Sequence, residues 1–131
     1  MAPSAISAPS AISGLSTYRQ PPARAIFQFD PDADGGTLEG FELTGAHNSS
    51  ENASGVRILW ADRVTVRNCD IHHNDLGVVS SGDGTLETAL DQRIEYSMVH
   101  HNGSFTRPGL GHNLYLEGGS TVISFSRKTR F

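Results

Sequence analysis

From Ala25 almost to the end of the chain, short runs of alternating apolar and polar residues are separated by loops rich in Gly, Asp, Asn and Ser. A period of two puts successive side chains on opposite faces of a strand. Val64 and Val66 are thereby assigned inward with Thr65 and Arg67 outward, and Leu114 and Leu116 inward with Tyr115 and Glu117 outward. Runs this short predict strands of only a few residues, and none of them buries an apolar face alone.

The runs repeat. Segments 38–43, 66–71 and 94–99 start 28 residues apart, and a fourth at 122–125 keeps the interval. Aliphatic residues fill one column (Leu38, Val66, Ile94, Val122), and small or apolar residues a second (Phe41, Cys69, Ser97, Phe125). Leu43, Ile71 and Val99 form a third. After the third column the same tripeptide follows twice, His72-His73-Asn74 and His100-His101-Asn102. Each period carries a further strand led by Gly55, Gly77 or Asn113, with extra residues at 47–54, 83–89 and 103–111. Stacking equivalent strands turns each column into a continuous ladder, with backbone hydrogen bonds running between repeats. An antiparallel sandwich is the competing arrangement, but it gives no reason for like residues at a fixed period.

Composition narrows the class. With 131 residues the chain has room for one domain of ordinary size. The net charge of -4 provides no basic field for gripping nucleic acid. The single cysteine, Cys69, forms no intramolecular disulfide and falls in an inward column, which marks it as core rather than nucleophile. No stretch approaches the roughly 20 apolar residues that span a bilayer. Pro3-Ser4-Ala5-Ile6-Ser7-Ala8 is followed at once by Pro9-Ser10-Ala11-Ile12-Ser13-Gly14, a tandem duplication that buries little. Residues 1–24 are therefore expected to be a low-complexity or disordered segment, without the basic start and apolar core of a signal peptide. Residues 25–126 are the repeat region and 127–131 an irregular tail.

The run Arg63-Val64-Thr65-Val66-Arg67-Asn68-Cys69-Asp70-Ile71-His72-His73-Asn74, followed by Gly77-Val78-Val79, resembles the repeat of pectin-lyase-like right-handed parallel β-helices. Gly111-His112-Asn113-Leu114-Tyr115 is similar to a segment of uncharacterised bacterial members. The resemblance implies an all-β solenoid of about three to four coils, with three parallel sheets and a tight turn near Asn68. It implies an extracellular or periplasmic parent that handles polysaccharide, either as a lyase or as a non-catalytic adhesin, tailspike or structural repeat protein. Arg127 departs from the column of Leu43, Ile71 and Val99, and the coils are few. A truncated product with an uncapped end, open to self-association, is the corresponding expectation.

In the resembled family the sheet led here by Gly55, Gly77 and Asn113 forms the sugar-binding cleft. Its outward column is expected to hold Arg57, Val79 and Tyr115, with Leu59, Ser81 and Glu117 beside it. Arg57, Tyr115 and Glu117 are the candidate substrate-binding residues, since guanidinium pairs with a uronate carboxylate and phenol stacks on a sugar face. Arg107, His112 and Tyr115 are the candidate catalytic residues for β-elimination. Glycoside hydrolysis needs two placed carboxylates, and the paired aspartates and Gly-His-Gly of the polygalacturonases in the resembled family do not appear, Gly111-His112-Asn113 being the nearest approach. The histidine pairs offer imidazole ligands, but they read as a solvent-facing turn that recurs because the backbone recurs, and no metal ligand is assigned to them. Asp30, Asp32 and Asp34 are candidate calcium ligands beside their more ordinary role in a turn with Gly35 and Gly36; no other cofactor is indicated. Sequons begin at Asn48, Asn52 and Asn102, and they matter only in a eukaryotic secretory route.

Overall fold

The computed structural model describes residues 4–7, 24–83, 85, 88–103, 111–117 and 123–125. All regular structure among them is β. In chain order the strands are β1 (Ser4–Ser7), β2 (Ala25–Phe29), β3 (Thr37–Glu39), β4 (Phe41–Thr44), β5 (Ser54–Leu59) and β6 (Thr65–Arg67). They continue with β7 (Asp70–His72), β8 (Leu76–Ser81), β9 (Gln92–Glu95), β10 (Met98–His100), β11 (Leu114–Glu117) and β12 (Ile123–Phe125). They form three four-stranded sheets in the orders β1-β4-β7-β10, β11-β8-β5-β2 and β12-β9-β6-β3. Every third strand returns to the same sheet, and every pairing is parallel, which excludes the antiparallel sandwich. β1 lies inside the segment read as low-complexity, and it pairs with β4. Among the described residues no helix is long and apolar enough to cross a membrane.

The predicted columns are the hydrogen-bonded registers. Leu38 pairs with Val66 and Val66 with Ile94, while Leu43 pairs with Ile71 and Ile71 with Val99. All six are buried, together with Val56, Ile58, Val64 and Val78, in one apolar core enclosed by the sheets. Strands of three residues persist here because each inward side chain is covered by its equivalents above and below. The fourth copy departs from the 28-residue frame: Phe125, not Val122, pairs with Ile94. The connection after β10 is eight residues longer than the repeat, since Leu114 pairs with Val78, and the interval from β11 to β12 is five shorter, which leaves a net shift of three. Leu116, assigned inward, is 45% exposed, because β11 is the end strand of its sheet.

The corners are turned by single residues in the left-handed region. Gly35, Arg63 and Asp91 occupy one such column, Gly40, Asn68 and Tyr96 a second, and Gly45, His73 and His101 a third. Within each column the residues are again 28 apart. One left-handed residue reverses the chain direction and aims its N–H along the stack. Gly40 N–H donates to Arg67 O and Asn68 N–H to Glu95 O, each at 3.1 Å. A side-chain ladder reinforces the first corner. Asp34 accepts from Asp62 N–H at 2.8 Å, and Asp62 from Leu90 N–H at 2.9 Å.

Candidate functional site

Asn74 and His72 leave the same turn in opposite directions, because the left-handed His73 between them swings the chain inward. Asn74 is fully buried. Its Oδ1 accepts from Ala46 N–H at 2.9 Å, and its Nδ2 donates to Leu43 O and Asn102 Oδ1, both at 3.1 Å. Asn102 repeats the pattern: its Nδ2 donates to Ile71 O and Asn113 Oδ1, both at 3.0 Å. The asparagines are thus an internal ladder. Neighbouring Asp75, also buried, accepts from Asn48 N–H at 3.0 Å and Ala53 N–H at 3.3 Å, and meets His47 Nδ1 at 2.8 Å.

The histidines lie on the outer face. His72 Nε2 is 2.8 Å from Glu42 Oε2, and His100 Nε2 is 2.8 Å from Asp70 Oδ1. Within each pair the Nδ1 atoms face one another, at 2.6 Å for His72–His73 and 2.7 Å for His100–His101. The rings also stack across strands, His72 on His100 at 5.1 Å and His73 on His101 at 5.4 Å. A carboxylate only accepts, so the network assigns the hydrogen of His72 to Nε2 and makes its Nδ1 the acceptor for His73 Nδ1–H. The second pair carries the same order. Glu42 and Asp70 sit directly opposite one another on adjacent strands. Glu42, Asp70 and His72 are the one set among the described residues whose ligand-type atoms converge within 4.8 Å, and they could hold a metal ion. All three are half-buried.

The sequence pattern alone presents the tripeptide as a turn and gives these histidines no partners. A signal was present. Glu42 precedes His72 by 30 residues, as Asp70 precedes His100. That offset is one repeat plus one side-chain step along the same face.

On the sheet of β2, β5, β8 and β11, Gln28 pairs with Arg57, Arg57 with Val79, and Val79 with Tyr115. Leu59 and Glu117 flank Ser81 in the adjacent column. Arg57 Nη1 donates to Gln28 Oε1 at 3.2 Å, and Gln28 Nε2 donates to Asp30 Oδ1 at 2.7 Å, so the guanidinium has a fixed neighbour. Tyr115 is 39% exposed and stacks against His112 with ring centroids 5.4 Å apart. The structure therefore brings three candidates, Arg57, His112 and Tyr115, to one face. Arg107 and the side chain of Glu117 lie outside the described residues.

Asp30, Asp32 and Asp34 line an open hollow beside the β2–β3 turn. Asp30 is engaged by Gln28 and Asp34 by Asp62 N–H. Cys69 is buried, with its Sγ 3.3 Å from Arg67 O. Burial pushes its thiol above the ordinary value, and the charge of Glu39 adds to the shift. A thiol pKa raised by folding favours the folded chain while the thiol is protonated in both states. That contribution fades as pH climbs past the unfolded value towards the folded one. Iodoacetamide at about pH 8.5 is expected to alkylate Cys69 roughly 100-fold more slowly in buffer than in denaturing urea. Equal rates, followed by mass spectrometry, would place the thiol outside the core.

No protein-family model, no curated protein and no solved structure matches the chain.

Proposed function

We propose that the chain is a segment of a right-handed parallel β-helix of the pectin-lyase-like kind whose outer face binds an acidic polysaccharide. The observation that carries this is the single register column of Gln28, Arg57, Val79 and Tyr115, in which Tyr115 is exposed, Arg57 half-buried, and Gln28 and Val79 buried. Strand spacing puts Arg57 and Tyr115 two steps apart, about 10 Å along the stack. A cation and an aromatic face at that separation suit alternate sugars of an acidic chain, one paired through its carboxylate and the next but one stacked on its ring. An extended chain of such units runs parallel to the stack and is read once per strand.

Eliminative cleavage is the reaction the same face suits. His112, stacked on Tyr115, accepts the C5 proton of the sugar beside them, while Arg57 holds the carboxylate of a unit about 10 Å along the stack. The C4–O bond breaks as the C4=C5 double bond forms, and Tyr115 donates a proton to the departing oxygen. An extracellular or periplasmic setting for the parent belongs to the same proposal. So does self-association through β2 and β11, the end strands of their sheet.

Binding of polygalacturonate and alginate, with neutral glucan as control, tests the reading. Arg57→Ala and Tyr115→Ala are each expected to weaken binding roughly tenfold, about 1.4 kcal/mol, without changing the circular dichroism spectrum. Absence of binding to every acidic polymer would sink the proposal. Binding without an unsaturated, ultraviolet-absorbing product would move it to the adhesin class.

A further inference from the structure

We propose that Glu42, Asp70 and His72 form a binding site for one divalent transition-metal ion of the zinc or cobalt class, on the sheet of β4, β7 and β10. This site is separate from the column of Arg57 and Tyr115 and does not depend on the sugar reading. Four observations carry it.

The donor atoms are already gathered. Glu42, Asp70 and His72 each offer one ligand atom, and all lie within 4.8 Å of one another. Ligands bonded to one tetrahedral ion at about 2.0–2.2 Å lie roughly 3.4 Å apart, so His72 Nε2 and Glu42 Oε2, now 2.8 Å apart, would separate slightly as the ion enters, and any wider separation in the set would shorten.

The charge arrangement asks for a cation. Glu42 and Asp70 are directly opposed in register, and like charges in that position destabilise a sheet. Each carboxylate already accepts from one histidine at 2.8 Å, Glu42 from His72 and Asp70 from His100, and a cation shared between them would offset their mutual repulsion further.

The supporting contacts are those that orient metal ligands. With His72 Nε2 given to the ion, its Nδ1–H donates to His73 Nδ1, now 2.6 Å away, and fixes the plane of the ring. His100 Nε2–H holds Asp70 Oδ1 at 2.8 Å and leaves the second carboxylate oxygen for the ion. His100 also stacks on His72 with an interplanar angle of 16°, which limits rotation of the liganding ring. The second repeat thus buttresses the first.

Access is open. The side chains of His72 and Glu42 keep 18% and 35% of their surface, so an ion reaches them without unfolding. Three protein ligands leave one tetrahedral position for water or a substrate oxygen, the pattern of reactive rather than purely structural sites. The mixed nitrogen and oxygen set favours zinc, cobalt or copper over calcium, which takes six or more oxygens.

The test is titration of the untagged chain with Co²⁺ and Zn²⁺ by calorimetry and, for Co²⁺, visible absorption, with Ca²⁺ as comparison. One ion per chain is expected, with a Kd on the order of 10 µM and no measurable Ca²⁺ heat. The isosteric double variant Glu42→Gln/Asp70→Asn is expected to lose at least roughly 100-fold in affinity, and His100→Ala roughly tenfold through the lost support of Asp70. Thermal unfolding guards against misfolded variants: Zn²⁺ is expected to raise the wild-type midpoint and leave that of the double variant unmoved. The proposal is overturned if Co²⁺ and Zn²⁺ do not bind. It is equally overturned if His73→Ala/His101→Ala abolishes binding while Glu42→Gln/Asp70→Asn retains it, because the exposed imidazoles would then be the ligands.

Discussion

Gly77→Ala is expected to destabilise the chain by about 3 kcal/mol or more, a large share of the 5–15 kcal/mol typical of a domain. A Cβ at this position would lie 2.2 Å from the carbonyl oxygen of Asn113, 2.8 Å from Val99 Cγ1 and 2.9 Å from Asn102 Nδ2. The first of these is backbone and has nowhere to go. Gly77 N–H donates to His112 O and Val78 N–H to Asn113 O, each at 2.9 Å, so moving Asn113 away breaks the pairing that holds β11. Gly55 is the same position one repeat earlier. There the closest atoms are Ile71 Cγ2 at 2.6 Å and Asn74 Nδ2 at 3.0 Å, with the Gly77 carbonyl at 3.2 Å. Side-chain tips yield more readily than backbone, so Gly55→Ala is expected to cost about half as much. Gly40 is the contrast: a Cβ meets nothing within 4 Å, but φ is +86°. Gly40→Ala is expected to lose only about 1 kcal/mol, from the left-handed backbone alone. Urea denaturation of the three variants should rank them 77, 55, 40. An unchanged midpoint for Gly77→Ala would show that β11 does not pair where the structure places it.

That glycine pair also shows which parts of the fold are legible in sequence. The columns of Leu38, Val66 and Ile94 and of Leu43, Ile71 and Val99 are readable because inward positions on stacked strands admit only apolar side chains. Gly55 and Gly77 stand out as strand leaders, but the reason for glycine is invisible until the carboxamides of Asn74 and Asn102 are seen lying over them. The 28-residue frame fails where a connection length, rather than a strand, sets the register. It puts Val122 beside Ile94, and the chain puts Phe125 there. It also places the next rung of the asparagine ladder at Arg130, whereas Asn113 takes that place only 11 residues after Asn102. A loop can be long or short without altering any local pattern, so such positions leave no periodic trace.

The candidate sites divide in the same way. Arg57 and Tyr115 share a face because each lies two residues after its strand leader, Gly55 or Asn113, as Val79 does after Gly77, and that spacing is readable. The grouping of Glu42 and Asp70 with the histidines depends on side-chain directions on the outer face, where almost any polar residue is tolerated. Burial dictates nothing there, and the repeated offset of 30 is the only trace. The acidic and basic residues of the third sheet illustrate the opposite case. Arg67 lies between Glu39 at 3.7 Å and Glu95 at 3.2 Å and over the ring of Tyr96, a network that serves as a solvated face and calls for no ligand.

Asn74→Ala is the second large effect, expected at about 3–5 kcal/mol, because it strands two buried backbone groups and leaves a void. Ala46 N–H loses its acceptor and Leu43 O its donor, at a position with no solvent exposure. Asn102 Oδ1 keeps only the backbone N–H of Asn74, at 3.0 Å. Asn74→Leu fills the volume but restores none of these bonds, so it is expected to lose nearly as much. His73→Gly, one residue earlier, is expected to change stability by less than about 0.5 kcal/mol. His73 has φ of 54°, and Gly45 already occupies the equivalent corner with φ of 85°. If both variants are measured in urea and Asn74→Ala proves as mild as His73→Gly, the internal ladder contributes nothing and the buried carboxamides need another account. If they differ as expected, the repeated tripeptide separates into two functions. The asparagine joins successive repeats from inside, and His73 is dispensable to folding. The recurrence of histidine beside Glu42 and Asp70 then calls for a reason other than the corner itself, which the proposed metal site supplies.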